Sequence, residues 1–496
     1  MFAKRFLWGY LLCMMGLMSS SLSYAQSAPS DFTGPTWYDY REAITEGEGS
    51  MTDPILISTP GQLAQLAYDV NSGTNSYKNK VVALAADIDL NKEVGGQRVQ
   101  WVPIGSDADH CFKGLFVGMN MKDYTANGFE AGQKHKISGM YINVTSADTF
   151  KPFGLFGMLG GNASHLQLED FSITADFSAH ATGDNIFLGG VCGNTIDSKT
   201  PYTGSDLWFR GTFLENNGSS FSRYVNFAID DVSVSGSITV NAGTVATVAV
   251  GGICGRFGNM GIIHSSADVT IDVTNCQFVG GICGIDSGKY YDPEKDGRCL
   301  YDCIANADIT TSYPRSYPVE MVNVGGIVGL MEQGEEAYAC VSMGSIKYQC
   351  DDTGRNYVSY NVGGVCGKLK PMGGLFACGS TMLIKSYGFV GGIVGKMESG
   401  TENEALTYKH SKVQCCSFSG HLDASDKILD QKGQTTGVRS TGPFYNHVGG
   451  ICGNMQWDSD DNLERITQCL MLGTINTEDY NTQQETLSHR GARRHK

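Results

Sequence analysis

Between residues 189 and 453 the chain alternates short apolar runs with glycine pairs, and one five-residue phrase returns seven times. It reads GGVCG at 189, GGICG at 251 and 280, GGIVG at 325, GGVCG at 363, GGIVG at 391 and GGICG at 449, with FGLFG at 153 as a degenerate forerunner. After a variable loop, each phrase is followed by a run of period two. These runs include Cys303 to Ile309, Cys340 to Ile346, Cys416 to Leu422 and Cys469 to Ile475, with Ile263 and Val232 expected as the anchor of other copies. The anchor and the residues four and six places later fall on one face of a strand, so the pattern predicts half-buried strands, at least two per copy. In the phrase itself the apolar residues are consecutive, as in Ile253 and Cys254, which predicts a strand covered on both faces.

Successive phrases start 62, 29, 45, 38, 28 and 58 residues apart, so the minimal unit is 28 or 29 residues. The excess is expected in loops, because closure entropy rises only slowly with loop length. A unit this short cannot bury its apolar face alone. The units must therefore stack as one solenoid of about seven to eight coils, roughly 35 to 40 Å long at about 4.8 Å per coil. Three glycines per phrase require either positive φ at a bend or close approach of another backbone, and the sequence leaves both open.

Ahead of the repeats the period changes. Thr59-Pro60-Gly61-Gln62 has the shape of a capping box with proline at the first helical position. Leu63, Leu66, Ala67 and Val70 follow at helical spacing, and Asn71-Ser72-Gly73 is a stop signal. An amphipathic helix here would cover the first coil and block edge-to-edge pairing. The predicted organisation is a signal peptide over 1–25, a linker over 26–50, a cap with the first irregular coils over 51–160, glycine-phrase repeats over 161–479 and a disordered basic tail over 480–496.

Composition agrees with an all-β chain. Glycine, at 64 of 496 residues, is nearly twice ordinary usage, while only 12 prolines argue against collagen-like or disordered structure. Lys4 and Arg5 precede an apolar run from Phe6 to Met18, with Ser23 and Ala25 at small-residue cleavage positions, the pattern of a secretory signal peptide cut near Ala25. Bulky Leu12 before Cys13 argues against lipidation. No later run reaches the length of a membrane span, so the mature chain is expected to be secreted or held at the cell surface. Removing Lys4 and Arg5 takes the formal charge from −15 to about −17, which disfavours nucleic acid as a partner.

Residues 54 to 168 form an ordered series: PILISTPGQLAQLAYDVNSG, then Asp87-Ile-Asp-Leu90, Trp101-Val-Pro-Ile-Gly105, Phe112-Lys-Gly-Leu-Phe-Val-Gly118, Ile137-Ser-Gly139 and Gly154-Leu-Phe-Gly157. This series resembles the GLUG-motif proteins, bacterial surface or secreted chains whose repeats also occur beside the zinc domain of immunoglobulin A-specific metallopeptidases. The resemblance covers roughly residues 51 to 475. It implies a right-handed parallel β-helix or solenoid and an adhesion-like role at the surface. One departure is Val117, where the family usually carries aspartate.

The peptidase activity does not come with the resemblance, because the chain holds no H-E-x-x-H segment and its ten histidines are scattered. No Gly-x-Ser-x-Gly elbow is present either. Asp87 and Asp89 alternate so as to share a strand face, about 6 to 7 Å apart, a spacing close to that of glycosidase carboxylate pairs. Carboxylates near a turn more often accept hydrogen bonds from backbone amides, and that is the expected role of this pair. Asp458-Ser-Asp460-Asp-Asn462 begins like a calcium loop, but Leu463 and Cys469 occupy the positions that need glycine and glutamate. Asp292-Pro-Glu294-Lys-Asp296 reads as a turn. No cofactor is expected, with structural calcium as the one option.

Fifteen cysteines remain after signal removal, an odd number that cannot all pair. Those at 192, 254, 283, 366 and 452 exchange with valine in other phrases, as small buried hydrophobes do. Cys299 and Cys303 match neither a redox pair nor a zinc knuckle and are expected to be structural.

Three long insertions carry aromatic pairs: residues 194–224 with Trp208 and Phe209, 285–298 with Tyr290 and Tyr291, and 424–447 with Phe444 and Tyr445. Rings on exposed loops stack on sugars or anchor protein contacts, so these six are the candidate binding residues. The bland alternative folds them back over the coil edges. The sequence thus favours a non-catalytic binding or adhesion module for a glycan or an extracellular protein. A carbohydrate-active β-helix enzyme, of polysaccharide lyase or glycosidase type, and a structural spacer stand as alternatives. Ligand, surface anchor and oligomeric state are not legible.

Overall fold

The first glycine of each phrase ends one strand and the cysteine or valine begins the next, so the phrase is a corner between two strands rather than the single strand its consecutive apolar residues predict. The computed structural model describes residues 29–476 except 51, 120–133, 181–182, 197–207, 215–219, 259–260, 288–299, 314–320, 350–358, 387, 399–410, 424–426, 430–434, 439–446 and 457–464. For 208–214, 220–228, 349, 359, 427–429 and 435–438 it describes the backbone alone. One coil runs through Ser233–Asn241, Thr247–Gly251, Cys254–Gly258 and Gly261–Ile263 before Ser266–Thr274 opens the next. Repetition of this path builds four long sheets of 14, 12, 8 and 8 strands, nearly every pairing parallel. The chain is therefore a parallel β-solenoid, as its alternating runs predict.

The long strands keep strict register. Ile142, Ile173, Ile238, Ile271, Ile309, Ile346 and Ile384 stand in one column, continued by Leu422 and Ile475. From Ile142 to Leu422 every member is sealed in the core. Burying one such side chain contributes about 2 kcal/mol, and a one-residue slip would turn the whole column outward, so the column fixes the pairing. The anchor cysteines Cys303, Cys340, Cys378 and Cys416 point into the same core. One anchor differs from expectation: Ser265, not Ile263, precedes the long strand 266–274, and Ile263 ends the strand before it. Ser265 meets the polar demand of burial by donating to the Ile263 carbonyl and accepting from Val232 N.

The residue before each anchor turns the corner in the left-handed region. His165, Asp231, His264, Asp302, Ala339, Ala377, Cys415 and Gln468 all have φ between 48° and 55°. None is glycine, although a side chain costs about 1–2 kcal/mol there.

Of the two explanations for the phrase glycines, the structure selects close approach. Gly251, Gly252, Gly280 and Gly281 are absent from the positive-φ residues. A β-carbon on Gly251 would lie 2.1 Å from the Cys254 carbonyl oxygen, and one on Gly281 would lie 2.2 Å from that of Gly326 in the next coil. The corner between the two eight-stranded sheets is backbone packed on backbone, with no room for a methyl group.

The N-terminal end is closed by helix α1 (Pro60–Asn71), the one α-helix among the described residues. Thr59 Oγ1 accepts from Gln62 N, Pro60 occupies the first turn, and Leu63, Ala64, Leu66, Ala67 and Val70 are buried. Asn71 ties its end to the first coils, donating to Tyr38 OH and Pro103 O and accepting from Gly105 N at 2.7 Å. The segment expected as a linker over 26–50 contributes to the fold where it is described. Phe32, Trp37 and Tyr38 join the core, and the buried Asp31 carboxylate accepts from the amides of Asp148, Thr149 and Phe150 at 2.6, 2.9 and 2.9 Å. No helix among the described residues is long and apolar enough to cross a membrane.

Candidate functional site

A polar groove of about 440 Å³ opens at the start of the fourteen-stranded sheet, lined by Asp89, Asn91, Arg98, Ser138, Gly139 and Asp170. Its walls come from three local devices. Gly95 and Gly96, with φ 61° and 77°, form the two-residue turn of a hairpin that pairs Glu93 with Arg98. Ser138 ends the strand Lys136–Ser138, and Gly139 follows at φ 70°, where a β-carbon would lie 2.7 Å from that of Asn91. Asp170 is the extra residue of a β-bulge in strand Gln167–Asp176, which shifts register between Leu168 and Phe171 and carries φ 52°. Bulges re-aim a side chain, and this one lies at the groove wall.

Arg98 is held over the Tyr141 ring at 4.4 Å and donates to the Gly139 carbonyl at 3.3 Å, so its position is fixed before any ligand arrives. Asp89 Oδ1 accepts from Asn91 N at 2.9 Å. Nearby, Asp87 accepts from Lys136 N and contacts His135 at 3.2 Å, and Lys136 pairs with Glu169 at 2.9 Å. The Lys136 amide, then His135, hold the Asp87 carboxyl below its ordinary range, and the Glu169 hydrogen bond raises the Lys136 ammonium. The Asp87 and Asp89 carboxylates thus take up turn and strand amides, the expected role for this pair.

The groove presents two carboxylates, one oriented guanidinium, and amide and hydroxyl groups. This set offers both donors and acceptors to a hydroxyl-rich ligand. A glycosidase also needs a carboxyl kept protonated near neutrality. Among the described residues, the carboxyls displaced from the ordinary range, Asp87, Asp107, Asp184 and Glu398, are displaced downward. Among the described residues no three His, Cys, Asp or Glu side chains are grouped to hold a metal.

Of the six predicted binding residues, Trp208 and Phe209 start the strand Trp208–Leu214, which pairs antiparallel with Ser220–Asp230 and extends the twelve-stranded sheet as a hairpin. Tyr290, Tyr291, Phe444 and Tyr445 lie outside the described residues, as do the signal segment 1–25, the tail 480–496 and the acidic turns at 292–296 and 458–462. The described strands next to these two insertions, Cys283–Ser287 before residue 288 and His447–Gly449 after residue 446, belong to different sheets. The groove residues Arg98, Gly139 and Asp170 escaped the sequence reading. Only the Gly95-Gly96 turn carried a local signal, because a bulge is defined by the register of its neighbour.

No protein-family model matches the chain, and no curated protein matches it. Solved structures that are similar to it include two described as IgA1 proteases. One, from Bacteroides ovatus and provisionally described as an immunoglobulin A1 protease, is 15% identical, with 87% of this chain and 91% of that chain covered at a TM-score of 0.41. The other, described as an IgA1 protease, is 15% identical over 73% of this chain at a TM-score of 0.37, and this chain spans 21% of its length. Scores this low transfer neither protein's activity to this chain.

Proposed function

We propose that the chain is an exported surface or secreted binding module of the GLUG-motif kind, taking a glycan or the surface of an extracellular protein. The groove around Arg98 is the contact site assigned among the described residues, and the aromatic insertions at 208–209, 290–291 and 444–445 are separate candidate contacts. The observation that supports this reading is the composition of the groove. It sets donors and acceptors side by side for a hydroxyl-rich ligand, and its arginine is oriented by Tyr141 and Gly139 before a ligand arrives.

A glycan array and an extracellular-matrix panel, probed with residues 26–479, test the reading. Wild-type binding that falls at least tenfold in Arg98→Ala and Asp170→Ala, with unchanged thermal unfolding, supports the groove. Loss only when an aromatic insertion is shortened moves the site to that loop. Release of reducing or unsaturated sugar ends from a polysaccharide panel would replace this reading with the enzyme alternative. Silence in both assays would leave a structural spacer.

A further inference from the structure

The cysteines that precede five successive strands of the fourteen-stranded sheet, Cys303, Cys340, Cys378, Cys416 and Cys469, stand in one column, as the pairing of the residues after them shows. Each is therefore the next-coil neighbour of the one before it, one parallel strand spacing away. The same two backbone contacts recur along it. Cys416 Sγ donates to Gln414 O at 3.3 Å and Leu375 O at 3.5 Å, and Cys469 Sγ to Thr467 O at 3.2 Å and Val413 O at 3.6 Å. Coils rise about 4.8 Å, inside the Cα separation of roughly 4.4–6.8 Å that disulfides span.

The column is sealed everywhere except at its last member. Cys303, Cys340, Cys378 and Cys416 are at most 1% exposed, whereas Cys469 is only partly buried. The neighbouring Cys416 brings the Cys469 thiol down, to about 7, in the direction that favours the reactive thiolate. Cys415 is also partly open, but it turns toward Gln468, with Sγ 3.0 Å from Oε1, so no thiol faces it across the coil. Cys192 and Cys254 supply the contrast. Their sulfurs are 3.1 Å apart, yet both residues are fully buried and burial pushes the Cys254 thiol well up.

We propose that Cys416 and Cys469 are a dithiol site that closes to an inter-coil disulfide in the presence of a small-molecule disulfide such as oxidised glutathione. The Cys469 thiolate attacks one glutathione sulfur, forming a mixed disulfide and releasing a glutathione thiolate. Cys416 gives its proton to that thiolate and attacks the Cys469 sulfur, releasing the second glutathione. Two protein thiols are oxidised and one glutathione disulfide is reduced to two glutathiones. The bridge joins the last described coil, whose Val448, Ile451 and Met471 are only half-buried, to the sealed body.

The test equilibrates the full chain with oxidised and reduced glutathione, blocks free thiols with an alkylating agent and maps the unreduced peptides by mass spectrometry. The expected result is a Cys416–Cys469 linked peptide with Cys415, Cys192 and Cys254 alkylated. Recovery of Cys416 and Cys469 both alkylated, or of Cys469 joined to Cys415 or to glutathione alone, overturns the proposal. Protease cleavage after residue 447 should be at least about fivefold slower in the oxidised than in the reduced wild type. In Cys469→Ser the two conditions should give equal rates; equal rates in the wild type overturn the latch.

Discussion

A β-carbon built on Gly252 would stand 2.2 Å from the carbonyl oxygen of Gly281, its neighbour in the next coil. The nearest atom is backbone and cannot swing aside. Gly252→Ala should therefore destabilise the fold by about 3 kcal/mol, the upper range for overpacking a filled core. Gly96→Ala makes the comparison, because no atom lies within 4 Å of its β-carbon position and only the left-handed φ of 77° resists the change. Its cost should be about 1 kcal/mol. Urea midpoints of the two variants measure the difference, and equal shifts would remove the close-approach explanation.

The Asn71 side chain joins α1, the N-terminal segment and the first coil. Replacing it with alanine removes three hydrogen bonds and leaves Gly105 N without its acceptor, a loss of about 2–3 kcal/mol. Amide exchange should accelerate over residues 60–71 and leave the strands after 233 unchanged. Uniform acceleration would mean that the cap and body unfold as one.

Two histidines at one corner should titrate on opposite sides of 6.5. The hydrogen bond to Asp230 at 2.9 Å raises His264, whereas burial lowers His165 despite the charges of Asp231 and Asp230. The His264 contribution to stability is fully present below pH 6.5 and fades as pH rises through its higher folded value. Asp230→Asn should bring the His264 titration, followed by NMR, back down. An unmoved His264 would assign its shift to other groups.

Glu398 gives the opposite sign. Burial pushes its carboxyl up, but Lys368 at 2.8 Å and Lys396 at 3.3 Å outweigh it and hold the group below its ordinary 4.5. This contribution is present above pH 4.5 and is lost as pH falls through the lower folded value. Glu398→Gln should be less stable than wild type at pH 7 and should converge with it at strongly acidic pH. A gap that persists there would point to packing rather than charge.

The repeating part of the fold was legible because burial imposes a period that the sequence must carry: the phrase glycines, the alternating runs and the capping signals at Thr59 and Gln62 each state a local requirement. Ile263 was placed at an anchor because it is apolar, while Ser265 holds that position by hydrogen-bonding its hydroxyl, a solution with no hydrophobic signature. Asp31, Arg98 and Asp170 were invisible for another reason. Each acts on residues far along the chain or in the neighbouring coil, and nothing in its own surroundings announces the partner.

The eight corner residues from His165 to Gln468 sit in the left-handed region, which costs an alanine, cysteine or glutamine about 1–2 kcal/mol. Only the strands above and below hold them there. A coil taken from the stack would relax at its corner and lose the register of its long strand, so individual repeats should not be viable as separate folding units. Under load or denaturant, the body should unravel from its ends, one coil surrendering its neighbour, rather than opening in the middle.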